Sequence, residues 1–240
     1  PRMLARLRRL VPERADAMEA VLNVPSLARF HPVDGAARAT WMEGGVLRLF
    51  YGGALTPTYE LDVILRAVAA LAGGSPSIPV HLTIAGRGDS EAPLRRLATE
   101  LGIEERVAFL GRVEMDEMPA LVAACDIALA PTRRDRFTDL TISNKVYEGL
   151  AMGKIVLASR LDTLDDLVPE GAALRYESGD ASSAAEAIRS VVGDPAARDA
   201  RRRAGLELVA GGANWESAGS AYVRRLSALI ADPIARRSRR

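Results

Sequence analysis

The sequence predicts an α/β fold: a doubly wound, Rossmann-like parallel sheet of six strands, with extra helices at its carboxyl end. Three observations predict it. Six short segments are almost continuously apolar, as strands covered on both faces tend to be. Stretches with a helical period separate them, the alternation that builds a parallel sheet. Glycine or proline stands at the ends of several strands, where the chain has to turn.

The elements follow in order. Residues 1–45 are irregular by pattern; Leu4, Leu7, Leu10 and Val11 share one helix face, and Pro12, Pro25 and Pro32 break any long element. The regular pattern starts at residue 46. Residues 46–51 read as the first strand, ended by Gly52 and Gly53. Leu61, Ile64, Leu65, Val68 and Leu71 then recur at helical spacing. Residues 80–85 form the second strand, ended by Gly86, and Leu94, Leu97, Ala98 and Leu101 lie on one helix face after it. Residues 107–110 are the third strand; Met118, Leu121 and Val122 mark the next helix. Residues 127–130 are the fourth, stopped by Pro131. A polar loop leads to a helix over 144–151, a strand over 155–158 and a short helix around Leu164. Residues 172–176 are the sixth strand, and helices near 181–193, 195–210 and 215–231 complete the pattern. The chain thus divides into an amino-terminal segment and linker (1–45), the sheet domain with its closing helices (46–232) and a basic tail (233–240).

Composition narrows the function. The 240 residues are 48% hydrophobic, enough for one full core. Lys and Arg number 32 against 31 Asp and Glu, a net charge of +1, so a nucleic-acid partner is not expected. The basic excess is local, with arginines at 2, 6, 8, 9 and 14 and again at 236, 237, 239 and 240. The single cysteine, Cys125, excludes an intrachain disulfide and suits a reducing compartment. Its apolar neighbours make it a small buried hydrophobe rather than a nucleophile. No apolar stretch approaches the length of a membrane span, and no signal-peptide pattern is visible, so a cytoplasmic location is expected. No His, Cys and carboxylate cluster has metal-site spacing, and no metal is expected. His31 and His81 lie outside the candidate loops, so no catalytic residue is assigned.

A strand order of 3-2-1-4-5-6 reverses between strands one and four, and ligands bind beyond the carboxyl ends of the strands at that point. That directs attention to two loops, 52–58 and 131–144. The first opens with Gly52 and Gly53, which let the backbone approach a ligand closely. It lacks the third glycine of a dinucleotide fingerprint, and Gly86-Arg87-Gly88 is likewise only part of one. Taken alone, both read more plainly as ordinary strand-to-helix turns. The second loop is long and polar and runs into a helix. Thr141 or Ser143 is placed to cap it, leaving outward amides near 141–144 at the positive end of the helix dipole, a candidate diphosphate site with Lys145 beside it. Glu148, one turn on, can accept hydrogen bonds from both hydroxyls of a ribose. Spacing alone leaves open the alternative that Lys145 and Glu148 form a solvated helix face.

The run Ser143-Asn-Lys-Val-Tyr-Glu-Gly-Leu-Ala-Met-Gly-Lys-Ile-Val-Leu-Ala-Ser resembles the donor-site segment of family 4 glycosyltransferases, which have the GT-B fold. Other segments fall in the family's order: residues 22–32 resemble its interdomain linker, 107–113 and 118–127 its middle section, and Asn214-Trp-Glu with Tyr222 its closing helix. The resemblance covers roughly residues 20–230. It implies the carboxyl-terminal half of an enzyme that transfers a sugar from a nucleotide-sugar, usually with retention of configuration, with no cofactor. It implies a donor-contact set of Gly52, Gly53, Arg87, Val113, Arg133, Asp139, Thr141, Ile142, Ser143, Asn144, Lys145 and Glu148. It also implies partners: a UDP- or GDP-linked donor, a missing amino-terminal domain, and a glycan or lipid acceptor. The closing helix, which in the family reaches toward that domain, should expose part of its apolar face.

Three positions depart from the family pattern. The arginine after the first-loop glycine is Ala54, and the lysine five residues later is Tyr59. The first member of the acidic pair is Leu140, with Asp139 adjacent as a substitute. Lys145, Arg133 and Arg134 are the candidates for the missing positive charge. The missing cations keep a second reading in play, a non-catalytic nucleotide-sugar-binding or partner-interaction module. A nicotinamide-dependent oxidoreductase lacks its fingerprint here, and a nucleotide-sugar epimerase lacks acidic and histidine groups in the loops. The arginine-rich start reads either as a contact with an anionic membrane surface or, more plainly, as a solvated remnant of the missing domain's connection.

Overall fold

The computed structural model describes residues 2–32 and 40–231; residues 33–39 of the expected linker and the basic tail at 233–240 lie outside them. The amino-terminal segment forms helix α1 (Arg2–Leu10) and a 3-10 turn over Pro12–Ala17. Alternating strands and helices follow: β1 (Leu47–Gly52), α2 (Leu61–Gly73), β2 (Val80–Ala85), α3 (Glu91–Glu100), β3 (Val107–Gly111), α4 (Met118–Ala124), β4 (Ile127–Ala130), α5 (Asn144–Ala151), β5 (Ile155–Ser159), α6 (Asp162–Leu167) and β6 (Leu174–Tyr176). Three helices close the domain: α7 (Ala181–Val192), α8 (Pro195–Ala210) and α9 (Trp215–Ala231). The strand order is β3-β2-β1-β4-β5-β6, every pair parallel, so the reversal between β1 and β4 stands where the sequence places it.

Successive side chains of a strand point to opposite faces, and here both faces are covered. Leu47, Leu49 and Tyr51 pack with Ile64 and Val68 of α2 and Ile188 of α7. Phe50, with Ala128 and Val156 of the neighbouring strands, packs under Val146 and Leu150 of α5 and Val209 of α8. Burying each large aliphatic side chain contributes about 1.5–3 kcal/mol, which explains why the strands read as largely apolar runs.

Two glycines set the site's framework. A Cβ at Gly149 would lie 2.6 Å from Val156 Cγ2 and 3.1 Å from Ala128 Cβ, so only glycine lets α5 lie this close on β4 and β5. Gly86 has φ +145°, and a Cβ there would strike the Gly53 carbonyl. Beyond the strands the backbone keeps pairing: Gly53 N–H donates to Ala85 O (2.8 Å), Gly86 N–H to Gly111 O (2.7 Å) and Leu55 N–H to Arg87 O (3.0 Å). The Gly86-Arg87-Gly88 turn is therefore packed against the first loop as an extension of the sheet.

Residues 2–32 are more ordered than their pattern indicates. Val24 and Phe30 are buried in the core on the α5 side. Pro25 O accepts from Trp215 N–H (2.9 Å), and Glu216 accepts from Ser26 Oγ (2.7 Å) and Leu27 N–H (3.0 Å), tying residues 25–27 to the start of α9. Asn214 caps α9 by accepting from Ser217 N–H at 2.9 Å. Arg2 of α1 pairs with Asp162 (2.8 Å) and Asp166 (2.6 Å) of α6, and Arg8 donates to the carbonyls of Ala15 and Met18, so two arginines of the basic start have partners within the chain. The closing helix α9 does expose an apolar face, with Trp215, Tyr222, Val223, Leu226 and Ile230 all open to solvent. Among the described residues no helix is long and apolar enough to cross a membrane.

Candidate functional site

The loop after β1 and the amino end of α5 meet at the carboxyl edge of the sheet. Lys145, on the first turn of α5, lies directly over Gly53: a Cβ at that glycine would be 2.6 Å from Lys145 Cε and 2.8 Å from Nζ. The ammonium also sits over two aromatic rings, 4.1 Å from the Tyr59 centroid and 5.2 Å from that of Tyr51. Such contacts hold a cation in place by about 0.5–2 kcal/mol without neutralising it. Among the described residues no carboxylate pairs with Lys145. Tyr51 is buried, which raises its phenol above its usual range, and it donates to Ala54 O at 2.6 Å, fixing the loop from beneath.

Ser143 occupies the cap position before α5, but its hydroxyl makes no capping bond; the Thr141 hydroxyl donates to Thr138 O (3.1 Å). The expected side-chain cap is therefore absent: the Thr141 hydroxyl is engaged by the 3-10 turn over Thr138–Leu140, and that of Ser143 makes no capping bond. The N–H of Val146 reaches back to Ser143 O (3.1 Å), while those of Asn144 and Lys145 have no partner among the described residues. Free amides at a helix start favour an anion. Ile142 packs against the core on the α5 side, as does Val113 of the β3–α4 loop.

Glu148 is half-buried one turn further along α5, and no hydrogen bond or ion pair satisfies its carboxylate among the described residues. Burial raises its pKa above the ordinary glutamate range, partly offset by the nearby Lys145 ammonium. A half-buried carboxylate with empty acceptor positions is costly to the fold and suited to hydroxyl donors from outside.

The remaining candidates are placed differently. Arg133 donates to Pro57 O (3.1 Å) and pairs with Asp62 (2.7 Å). Arg134 pairs with Asp139 (3.0 Å) and Asp162 (2.7 Å). Asp139 also accepts from Asp162 N–H (3.3 Å), and its carbonyl accepts from Thr163 Oγ1 (2.7 Å), so it clamps this loop to α6. Of the three proposed replacements for the missing charge, only Lys145 stands over the glycine loop with no ionic partner among the described residues. Arg87 is exposed beside Gly111. Gly52 is buried, close against Met118. Sequence reasoning did not foresee the rings of Tyr51 and Tyr59 around Lys145; the available signal was an aromatic at each end of the glycine loop.

Elsewhere, burial pushes the Cys125 thiol up to about 12, so it is protonated at neutral pH and behaves as a small hydrophobe. A cleft of about 340 Å³, lined by Trp41, Asp126, Lys154 and Arg198, lies at the opposite, amino-terminal edge of the strands. Among the described residues no group of His, Cys, Asp and Glu side chains is arranged to hold a metal ion.

Comparison with known proteins bears on this site. Residues 47–194 match the family model described as Glycosyl transferases group 1. The chain is 30% identical over 226 residues to the D-inositol 3-phosphate glycosyltransferase of Nocardia farcinica, covering 90% of this chain and 48% of that protein. It is 32% identical over 167 residues to the GDP-mannose-dependent monoacylated alpha-(1-6)-phosphatidylinositol monomannoside mannosyltransferase of Corynebacterium glutamicum, covering 69% of this chain and 43% of that protein. The chain thus spans about half the length of the curated relatives it matches. Among solved structures, Anabaena Alr3699/HepE in complex with UDP-glucose superposes with a TM-score of 0.77 at 18% identity, over 90% of this chain and 59% of that one. The C-terminal domain of the group 1 family protein LpcC from Francisella tularensis superposes with a TM-score of 0.64 at 15% identity, over 79% of this chain and 98% of that one. At these identities the two structures speak for the fold alone.

Proposed function

The chain belongs to the group 1 glycosyl transferases, and on that premise we propose that it is the donor-binding half of a two-domain GT-B enzyme of the family 4 type. In this reading the full protein moves a sugar from a UDP- or GDP-linked donor to a glycan or lipid acceptor in the cytoplasm, with retention. The observation that carries it is Lys145, free of ionic partners among the described residues and held over Gly53 beside the open amides of Asn144 and Lys145.

The chemistry follows from that arrangement. The donor's diphosphate lies over Gly53, and its ribose hydroxyls donate to Glu148. As the anomeric C–O bond breaks, its electron pair goes to the diphosphate oxygen; the Lys145 ammonium and the helix amides stabilise the growing negative charge. The acceptor oxygen bonds to the anomeric carbon, and its proton passes to the departing diphosphate oxygen. The amino-terminal domain positions that acceptor, and proximity supplies much of the rate of such a two-substrate step.

The test is to assay the 240-residue chain and the full-length protein with UDP- and GDP-sugars. Acceptor-dependent release of nucleoside diphosphate is expected only from the full-length protein. Robust transfer by this chain alone contradicts the half-enzyme reading. Binding with no transfer by the full-length protein favours the binding module, the reading that Ala54 and Tyr59 in place of basic residues supports.

A further inference from the structure

We propose that Glu60, at the amino end of α2, is a positioning residue that holds the two walls of the diphosphate site in register. The inference rests on the donor-site reading above. Glu60 is fully buried, with no part of it exposed, at the carboxyl edge of the sheet. A buried carboxylate needs donors on both oxygens, and it has them. Oε1 accepts from Ser159 Oγ (2.9 Å), at the end of β5. Oε2 accepts from Ser178 Oγ (2.9 Å) and Gly179 N–H (2.9 Å), in the loop after β6. Ser178 Oγ in turn accepts from Arg134 N–H (2.8 Å), in the loop that leads to α5. Through the Glu60 side chain and the Ser178 hydroxyl, the loops after β1, β4 and β6 are joined to the end of β5.

The backbone beside Glu60 completes the link. Its N–H donates to Pro131 O (3.0 Å), and Arg133 N–H donates to Thr58 O (2.8 Å), so residues 58–60 pair with 131–133 around an antiparallel bridge of Tyr59 with Thr132. Tyr59 is the next residue, and its ring is the nearer of the two that hold the Lys145 ammonium. Glu60 touches neither Lys145 nor the expected ligand position. Its role is to fix Tyr59 on one wall and residues 131–134 on the other. A helix-start carboxylate that served only α2 would cap that helix's own amides, and Glu60 makes no such bond.

The experiment compares UDP with uridine, and GDP with guanosine, by calorimetric titration of the 240-residue chain. The readout is the extra affinity that the diphosphate confers. Glu60→Ala is expected to cut that increment by about tenfold, the scale of one or two lost charge-assisted hydrogen bonds, while nucleoside affinity stays within about twofold. Glu60→Gln keeps the volume and most acceptor contacts and should restore most of the increment. In a Lys145→Ala background, Glu60→Ala should cost nothing further, because both act through one ammonium. Should Glu60→Ala fail to fold, Ser178→Ala removes the hydroxyl that bridges Arg134 N–H to Glu60, leaves the Ser159 and Gly179 bonds to Glu60 in place, and should lower the same increment by several-fold. Equal losses for nucleoside and diphosphate, or losses that multiply with Lys145→Ala, overturn the positioning role and leave the donor site standing. A wild-type chain that binds neither diphosphate overturns the donor reading, and this inference with it.

Discussion

Lys145→Ala is expected to weaken binding of a nucleoside diphosphate by about 1.5–3 kcal/mol, roughly 10- to 100-fold, while leaving the bare nucleoside within about twofold. The asymmetry follows from the site. The ammonium has no carboxylate partner among the described residues, and its neighbours are the Tyr51 and Tyr59 rings and Gly53. A phosphate placed there gains a counter-charge that the protein does not already use, and it adds the helix-start amides of α5. The effect should shrink at high salt, because the site is open on one side. Arg133→Ala is the control. That guanidinium is half-exposed and committed to Asp62 and Pro57 O, so its loss should leave diphosphate affinity nearly unchanged. Isothermal titration with UDP and uridine, and with GDP and guanosine, decides the matter. Equal losses for nucleoside and diphosphate would show that Lys145 acts through the fold instead.

Glu148→Gln is expected to weaken nucleoside and nucleotide alike, by about 1–3 kcal/mol, because both carry the ribose. The same change should stabilise the unliganded protein at neutral pH. Burial raises the Glu148 pKa in the folded state above its ordinary 4.5. A raised carboxyl pKa means that the folded protein holds this proton more tightly than the unfolded chain does. The stability it contributes is present in full below the unfolded value and is lost as pH rises through the folded one. Glutamine cannot ionise and escapes that loss. Thermal unfolding of the two proteins should therefore converge near pH 4 and diverge in favour of Glu148→Gln near pH 7.5. A folded variant with unaltered nucleotide affinity would remove Glu148 from the site.

How far the sequence reveals this protein depends on which forces place each residue. The sheet is legible because parallel strands buried on both faces are largely apolar; Leu49 and Phe50, adjacent in β1, enter different cores. The helix that carries Lys145 and Glu148 is legible for a local reason, a polar loop giving way to a helical period. The partners of Arg133, Arg134 and Asp139 are not legible. Asp62 lies 71 residues before Arg133, and Asp162 lies 28 after Arg134, so only the closed fold brings them together. Glu60 is the extreme case. In sequence it is a polar residue at a helix start; in the structure it is fully buried, and its donors come from 99 to 119 residues away. No periodicity encodes such a set. Ser143 shows the reverse failure: the spacing places it correctly at the cap position, but its hydroxyl makes no capping bond.

The central claim is that the loop after β1 and the start of α5 form one nucleotide site. The most direct measurement is a crystal structure of this chain grown with UDP or GDP. The account predicts the diphosphate over Gly53, within hydrogen-bond reach of Lys145 Nζ and the Asn144 and Lys145 amides, and both ribose hydroxyls on Glu148. A nucleotide seated elsewhere, for example in the cleft beside Trp41 and Arg198 at the opposite edge of the sheet, would contradict it.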